Sequence, residues 1–242
     1  MSEPNGNQSV KIGEDGTHQP GISPHPIRQY RTILFAFLLV SAIGTFGFLT
    51  FLVETIPSFP IDLQITRAIQ SIHFPLFDWL MRLISWPGFS PQSIILSILI
   101  GLLFFVSGLR WESVTSLLAS LLSGVTNELV KGLIQRPRPS VDLVDVFQVL
   151  TSYSFPSGHV MFYTTLFGFV WYVIYTLLKR SWMRSLLLTV LGLFILLIGI
   201  SRIYLGQHWA SDVLAAYLLG SFLLGGIILL YEGGKQRRFL HR

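Results

Sequence analysis

The chain has no cysteine and very little charge. Without a thiol, disulfides, thiolate nucleophiles and Cys-ligated metals are excluded together, although nothing follows about compartment. Charged residues make up 12% of the 242, against about 25% in an ordinary soluble domain. Aromatic-basic stripes of the kind that hold single-stranded nucleic acid are also missing. The net charge of +5 and the pI near 9.7 therefore point to topology signals and anionic head groups, with no nucleic acid as partner.

What the chain has instead is apolar residue, 51% of the total, in long blocks without a period of 2 or 3.6. A spanning helix needs roughly 20 such residues. Blocks of that kind fall near 32–54, 92–109, 112–133, 160–179, 183–202 and 210–231, so the expected fold is all-α, a bundle of six transmembrane helices. The polar stretch 1–30 reads as a disordered cytoplasmic tail and does not resemble a signal peptide. Residues 31–232 read as one membrane-embedded domain and 233–242 as a basic cytoplasmic C-terminus. Between the first two spans, 55–90 mixes Ile61, Leu63, Ile65 and Ile69 with Asp62, Gln64, Arg67 and Gln70. That mixture, repeated around Trp79 and Trp86, predicts short amphipathic helices in the interface plane.

With six spans, eleven Lys and Arg collect on the side of the two termini and six on the other. This bias predicts cytoplasmic termini. Three segments then share the opposite side: Lys131 to Pro139, Ser154 to His159, and Ser201 to Asp212. Ionisable groups at membrane depth are costly unless paired or facing a wet cavity, so their convergence marks a candidate site.

His208 and Asp212 are four apart, which on a helix starting near 208 puts both on one face, the carboxylate holding one imidazole nitrogen and freeing the other. For that pair alone, a structural hydrogen bond is the simpler reading. Pro156 stops any upstream helix, Ser157 suits an N-cap, and Gly158 lets backbone N–H groups approach an anion. His159 is placed to give a proton to a departing oxygen. Lys131, Arg136 and Arg138 suit a phosphoryl group, and Arg202 completes the cationic set. The nearby carboxylates Asp142, Asp145 and Asp212 are too few and too badly spaced for a two-metal site. No metal or other cofactor is expected.

Together these segments resemble the signature of the type 2 phosphatidic acid phosphatase superfamily, which includes the vanadium haloperoxidases. The pattern is Lys, six residues, Arg-Pro; then Pro-Ser-Gly-His; then Ser-Arg, five residues, His, three residues, Asp. Here it is met by Lys131 and Arg138-Pro139, by Pro156-Ser157-Gly158-His159, and by Ser201-Arg202, His208 and Asp212. The resemblance implies that His208 attacks phosphorus, that Asp212 orients it, and that His159 protonates the leaving oxygen and then activates water. It implies that Lys131, Arg138, Ser157, Gly158 and Arg202 hold the phosphate oxygens. It further implies a metal-independent lipid phosphatase of the plasma membrane with its site facing the exterior. The substrate it implies is undecaprenyl diphosphate, phosphatidylglycerophosphate or phosphatidic acid, and nothing in the sequence reads the tail or the leaving group. The roles of Arg136 and Glu128, and the oligomeric state, stay open. A vanadate-dependent haloperoxidase and a non-hydrolytic lipid transport or binding protein are the alternatives; the apolar spans disfavour the first and the intact site the second. His18, His25, His73 and His241 have no spaced partner and read as surface residues.

Overall fold

The computed structural model describes residues 25–56 and 59–240. Most of the expected tail, 1–24, and the last two residues lie outside them. Two compact units are present, Met1–Ala36 and Phe37–Arg242, and every site residue belongs to the second.

Among the described residues there is no strand, as expected where a backbone in lipid must bond to itself. The helices are α1 (His25–Thr55), α2 (Pro60–Gln70), α3 (Pro75–Ser85), α4 (Gln92–Val106), α5 (Arg110–Ile134), α6 (Gly158–Phe162), α7 (Gly168–Leu177), α8 (Trp182–Tyr204) and α9 (Ala210–Leu240). A 3-10 turn, Trp86–Gly88, follows α3, and a π turn, Tyr163–Phe167, joins α6 to α7. Among the described residues, five helices are long and apolar enough to cross a membrane: α1, α5, α6 with its π turn and α7, α8, and α9. With 15 residues α4 is short; it reaches spanning length together with α3, across a bend of 65°. The expected sixth span rests on that broken pair.

Prolines set the starts of α2 and α3, where a missing N–H costs nothing. At the other end of α5, Gln135 adopts a left-handed conformation and returns its N–H to Lys131, after which Pro137 and Pro139 prevent any continuation. The tightest part of the core is Val160, Met161, Tyr163 and Leu166 against Ile198, Val213 and Ala216. The Tyr163 hydroxyl donates to the Ile84 carbonyl at 2.6 Å, tying the π turn to α3.

The polarity of α2 is the main departure from sequence expectation. Its buried residues are Asp62, Thr66 and Gln70, while Ile61 is exposed. Spaced four apart, the three form one stripe, and that stripe faces protein. An amphipathic helix with its polar side inward has polar groups to satisfy there: Thr66 bonds the Asp62 carbonyl, Gln70 the backbone of Asp145 and Tyr204, and Asp62 reaches Arg136 and Ser211.

Candidate active site

The three segments singled out in the sequence meet at one end of the bundle. Backbone bonds weld them together: Ser154 N–H donates to the Arg136 carbonyl at 2.9 Å, and Ser157 N–H to that of Asp212 at 3.3 Å. Arg138 then clamps two of the segments. Its Nε reaches the Ser152 carbonyl at 2.7 Å, its Nη2 the Ser152 hydroxyl at 2.9 Å, and its Nη1 the Gln207 carbonyl at 2.6 Å.

His208 does not lie on a helix. The chain leaves α8, turns at Gly206 (φ +63°) and passes through Gln207, His208 and Trp209 before α9 starts at Ala210. The expectation of one shared helical face is therefore corrected. Asp212 instead reaches back from the first turn of α9, accepting the Trp209 N–H at 2.9 Å. This is the reciprocal half of a capping box, in which the side chain three residues on takes up the N–H of the residue that precedes the helix. The same carboxylate oxygen, Oδ2, accepts a short bond from Ser154 Oγ and lies 3.7 Å from His208 Nδ1. Ser154 Oγ is itself 3.5 Å from that ring nitrogen, so its hydroxyl bridges ring and carboxylate.

The tautomer follows from the other side of the ring. His208 Nε2 faces Arg138 Nη1 at 3.2 Å, and a guanidinium only donates, so Nε2 carries the lone pair and Nδ1 the proton. His208 is 2% exposed and Asp212 is fully buried. Burial first, then the charges of Arg138, Arg202 and Lys131, hold the His208 imidazole well below its usual range, against an opposing bond at Ser154.

The cations expected to hold phosphate lie in the same region. Arg202 is fully buried, donates to the Ser85 hydroxyl and to Gln207 Oε1 at 3.4 Å, and stacks 5.2 Å from the Phe89 ring centroid. Lys131 has one acidic partner, Glu128 at 3.4 Å, whose side chain is 73% exposed; such a pair binds weakly. Among the described residues, no carboxylate lies within ion-pair distance of Arg138 or Arg202. His159 lies within electrostatic reach of His208, Arg202, Lys131 and Arg138, with the Phe89 ring edge-on at 4.6 Å.

Ser157 occupies the N-cap position of α6, but its side chain makes no capping bond. Its buried hydroxyl, His159 Nε2 and Arg202 Nε have no hydrogen-bond partner among the described residues. Buried polar atoms without partners are expensive inside a protein and natural at a polar ligand site. Gly158 has a packing reason beyond anion approach: a Cβ there would come within 2.9 Å of Asn127 Oδ1. Asn127 in turn donates to the Pro156 carbonyl at 3.0 Å, fixing the start of α6.

Arg136 and Asp62 are the residues that sequence reading missed or left open. Both are 2% exposed. Arg136 Nη2 donates to Asp62 Oδ2 at 2.9 Å, and its Nη1 donates to Ser211 Oγ at 2.7 Å and to Asp212 Oδ1. Asp62 also accepts the Ser211 N–H at 2.8 Å and the Ser211 hydroxyl at 2.6 Å. The available signal was the polar stripe on α2.

A multi-span helical membrane protein with a buried, oriented histidine under an unmatched cationic cradle has the makings of a phosphatase. The chain belongs to the PAP2 superfamily, whose pattern matches residues 112–235. It is 31% identical over 163 residues to phosphatidylglycerophosphatase B of Bacillus subtilis, covering 67% of this chain and 79% of that protein. It is also 31% identical over 126 residues to undecaprenyl-diphosphatase of Sulfolobus acidocaldarius, covering 50% and 56%. A solved structure, the transmembrane PAP2 type phosphatidylglycerolphosphate phosphatase of Bacillus subtilis, superposes with a TM-score of 0.70 at 27% identity, covering 83% of this chain and 97% of that one. This is a membrane protein of a lipid phosphatase family.

Proposed function

We propose that the chain hydrolyses a lipid phosphate or diphosphate at the outer face of the membrane through a phosphohistidine on His208. The observation that carries the reading is His208 Nε2 facing the Arg138 guanidinium, beside Lys131 and Arg202, with no carboxylate among the described residues within ion-pair distance of either arginine. The substrate's phosphoryl group supplies a counter-charge and takes the guanidinium bonds now made to the ring.

In the first step Nε2 attacks phosphorus and the bond to the leaving oxygen breaks. His159 delivers the proton that the departing alkoxide or phosphate takes up. In the second, His159 removes a proton from water as the water oxygen displaces Nε2, releasing inorganic phosphate and regenerating the ring. Asp212 and Ser154 hold Nδ1–H throughout and stabilise the positive imidazole of the intermediate. Lys131, Arg138, Arg202, the Ser157 hydroxyl and the backbone at Gly158 bind the phosphoryl oxygens. The cations of this scheme are side chains, so turnover is expected to survive EDTA.

Phosphatidylglycerophosphate and undecaprenyl diphosphate rank first as substrates, because they name the relatives' activities; phosphatidic acid follows. A panel of the three compared by kcat/KM in one bilayer ranks them. The chemistry is tested with purified His208→Ala: loss of phosphate release is expected, and substantial retained turnover overturns the nucleophile assignment. The orientation, carried by the eleven-to-six bias in basic residues, is tested in this cysteine-free chain by labelling Asp145→Cys and Trp182→Cys. External access at the first alone is expected, and equal access at both refutes it.

A further inference from the structure

We infer that Asp62 and Arg136 form a positioning pair for the nucleophile, with Asp62 keeping the Asp212 carboxylate electrostatically available to His208. The inference rests on the proposed role of His208 and extends it to a helix that lies before the matched family region.

Two observations carry it. The first is charge. Asp62, Arg136 and Asp212 are three buried ionisable groups in one bonded chain, a guanidinium between two carboxylates. Were Arg136 bonded to Asp212 alone, the two would form a neutral pair, and Asp212 would offer His208 little beyond a hydrogen bond. With Asp62 taking the other side of the fork, the trio carries a net charge of −1, and the end of that charge nearest the ring is the Asp212 oxygen 3.7 Å from Nδ1. A buried imidazole that becomes positive on phosphorylation needs such a partner, since Lys131, Arg138 and Arg202 around it are all cationic.

The second is geometry. Asp62 Oδ1 accepts the Ser211 N–H and Oδ2 accepts the Ser211 hydroxyl, so a carboxylate from α2 caps α9 from a distance of 149 residues in sequence. Asp212 and the turn bearing His208 are the immediate neighbours of that cap. Asp62 thus fixes the α9 start from which Asp212 reaches back, and it does so from a helix whose only buried residues are polar.

The test uses the full-length enzyme in one bilayer composition, with Asp62→Asn, Asp62→Glu, Arg136→Lys and His208→Ala purified in parallel and thermal melting recorded for each. For Asp62→Asn, kcat per folded enzyme is expected to fall by about tenfold or more, the cost typical of losing a group that orients a functional side chain. KM should stay within about threefold, since Asp62 does not touch the phosphoryl cradle. The acid limb of the kcat profile should move to lower pH, because an unshared Arg136 charge makes the surroundings of His208 more positive. Asp62→Glu, which restores the charge, should return the limb toward its original position. A purely structural role would lower the melting temperature and leave both kcat per folded molecule and the limb unchanged, and that result overturns the inference. If Asp62→Asn yields no folded protein, Arg136→Lys decides: a single ammonium nitrogen lacks the two-nitrogen fork that reaches Asp62 and Asp212 at once, so kcat should fall, and an unaltered kcat overturns the pair's role. Turnover surviving in His208→Ala overturns the nucleophile reading itself, whereas loss there with an unaffected Asp62→Asn overturns this inference alone.

Discussion

The carbonyl oxygen of Asp145 fills the space that a Cβ on Gly206 would occupy. Gly206 also sits at φ +63°, so two independent constraints demand glycine where the chain turns toward His208. Gly206→Ala is expected to cost about 2 kcal/mol or more, from left-handed strain plus the displaced loop. A lower melting temperature with reduced turnover is the expected result, and wild-type values for both would show that the turn tolerates a side chain.

Acidity should act through His208. Its folded-state pKa is held well below 6.5 by burial and by three neighbouring cations, so the ring is neutral and nucleophilic at pH 7. For a base whose pKa is depressed on folding, the unfolded chain binds the proton first as pH falls. The stability associated with the neutral ring is thus intact above about pH 6.5 and is lost progressively below it. Melting temperature recorded from pH 8 to pH 4.5 should decline from about pH 6.5 downward in the wild type and less in His208→Gln. Free-enzyme kcat/KM should keep its plateau to below pH 6.5, and a fall beginning well above that value would contradict the assigned neutral state.

Arg138 should not accept lysine. Its guanidinium makes bonds to Ser152, Gln207 and the neighbourhood of Nε2 at once, whereas a lysine ammonium is a single point charge without the fork. Arg138→Lys is expected to lower kcat/KM by about tenfold or more, roughly 1.4 kcal/mol or above in transition-state stabilisation. Steady-state kinetics on a lipid phosphate check this, and an unchanged kcat/KM would remove Arg138 from the cradle.

At the opposite end of the bundle, the Tyr231 hydroxyl donates to Glu112 at 2.7 Å and accepts from Lys235 at 2.7 Å. Both Tyr231 and Glu112 are buried. Tyr231→Phe removes the bridge and leaves Glu112 with Lys235 at 3.5 Å, a change expected to cost about 1–2 kcal/mol. The melting temperature should drop while kcat per folded enzyme stays at the wild-type value; a loss of kcat would tie this cluster to the chemistry.

The apolar helices and the meeting of the three polar segments were legible in the sequence because each depends on local pattern: long apolar blocks for the helices, and short fixed spacings around Pro139, Pro156 and His208. What was not legible depends on distant partners. The proximity of Asp62 to Arg136 and Ser211 spans 74 and 149 residues, and nothing local reports it. The stripe Asp62, Thr66 and Gln70 was visible as amphipathicity, but whether its polar side meets water or protein is decided only by what packs against it. The place of His208 was misjudged for a related reason. The spacing to Asp212 is helical, yet Gly206 turns the chain and the first N–H groups of α9 need acceptors, so the pair meets across a helix start.

Ser85 and the Met81 carbonyl on α3 hold Arg202 and Ser201, and α2 supplies Asp62; all three precede residue 112, where the match to the PAP2 superfamily begins. That match therefore leaves out part of what holds the site together. A fragment or chimera cut at that boundary would keep Lys131, Arg138, His159, Arg202, His208 and Asp212 and still lose the hydroxyl that binds Arg202 and the carboxylate that binds Arg136 and Ser211.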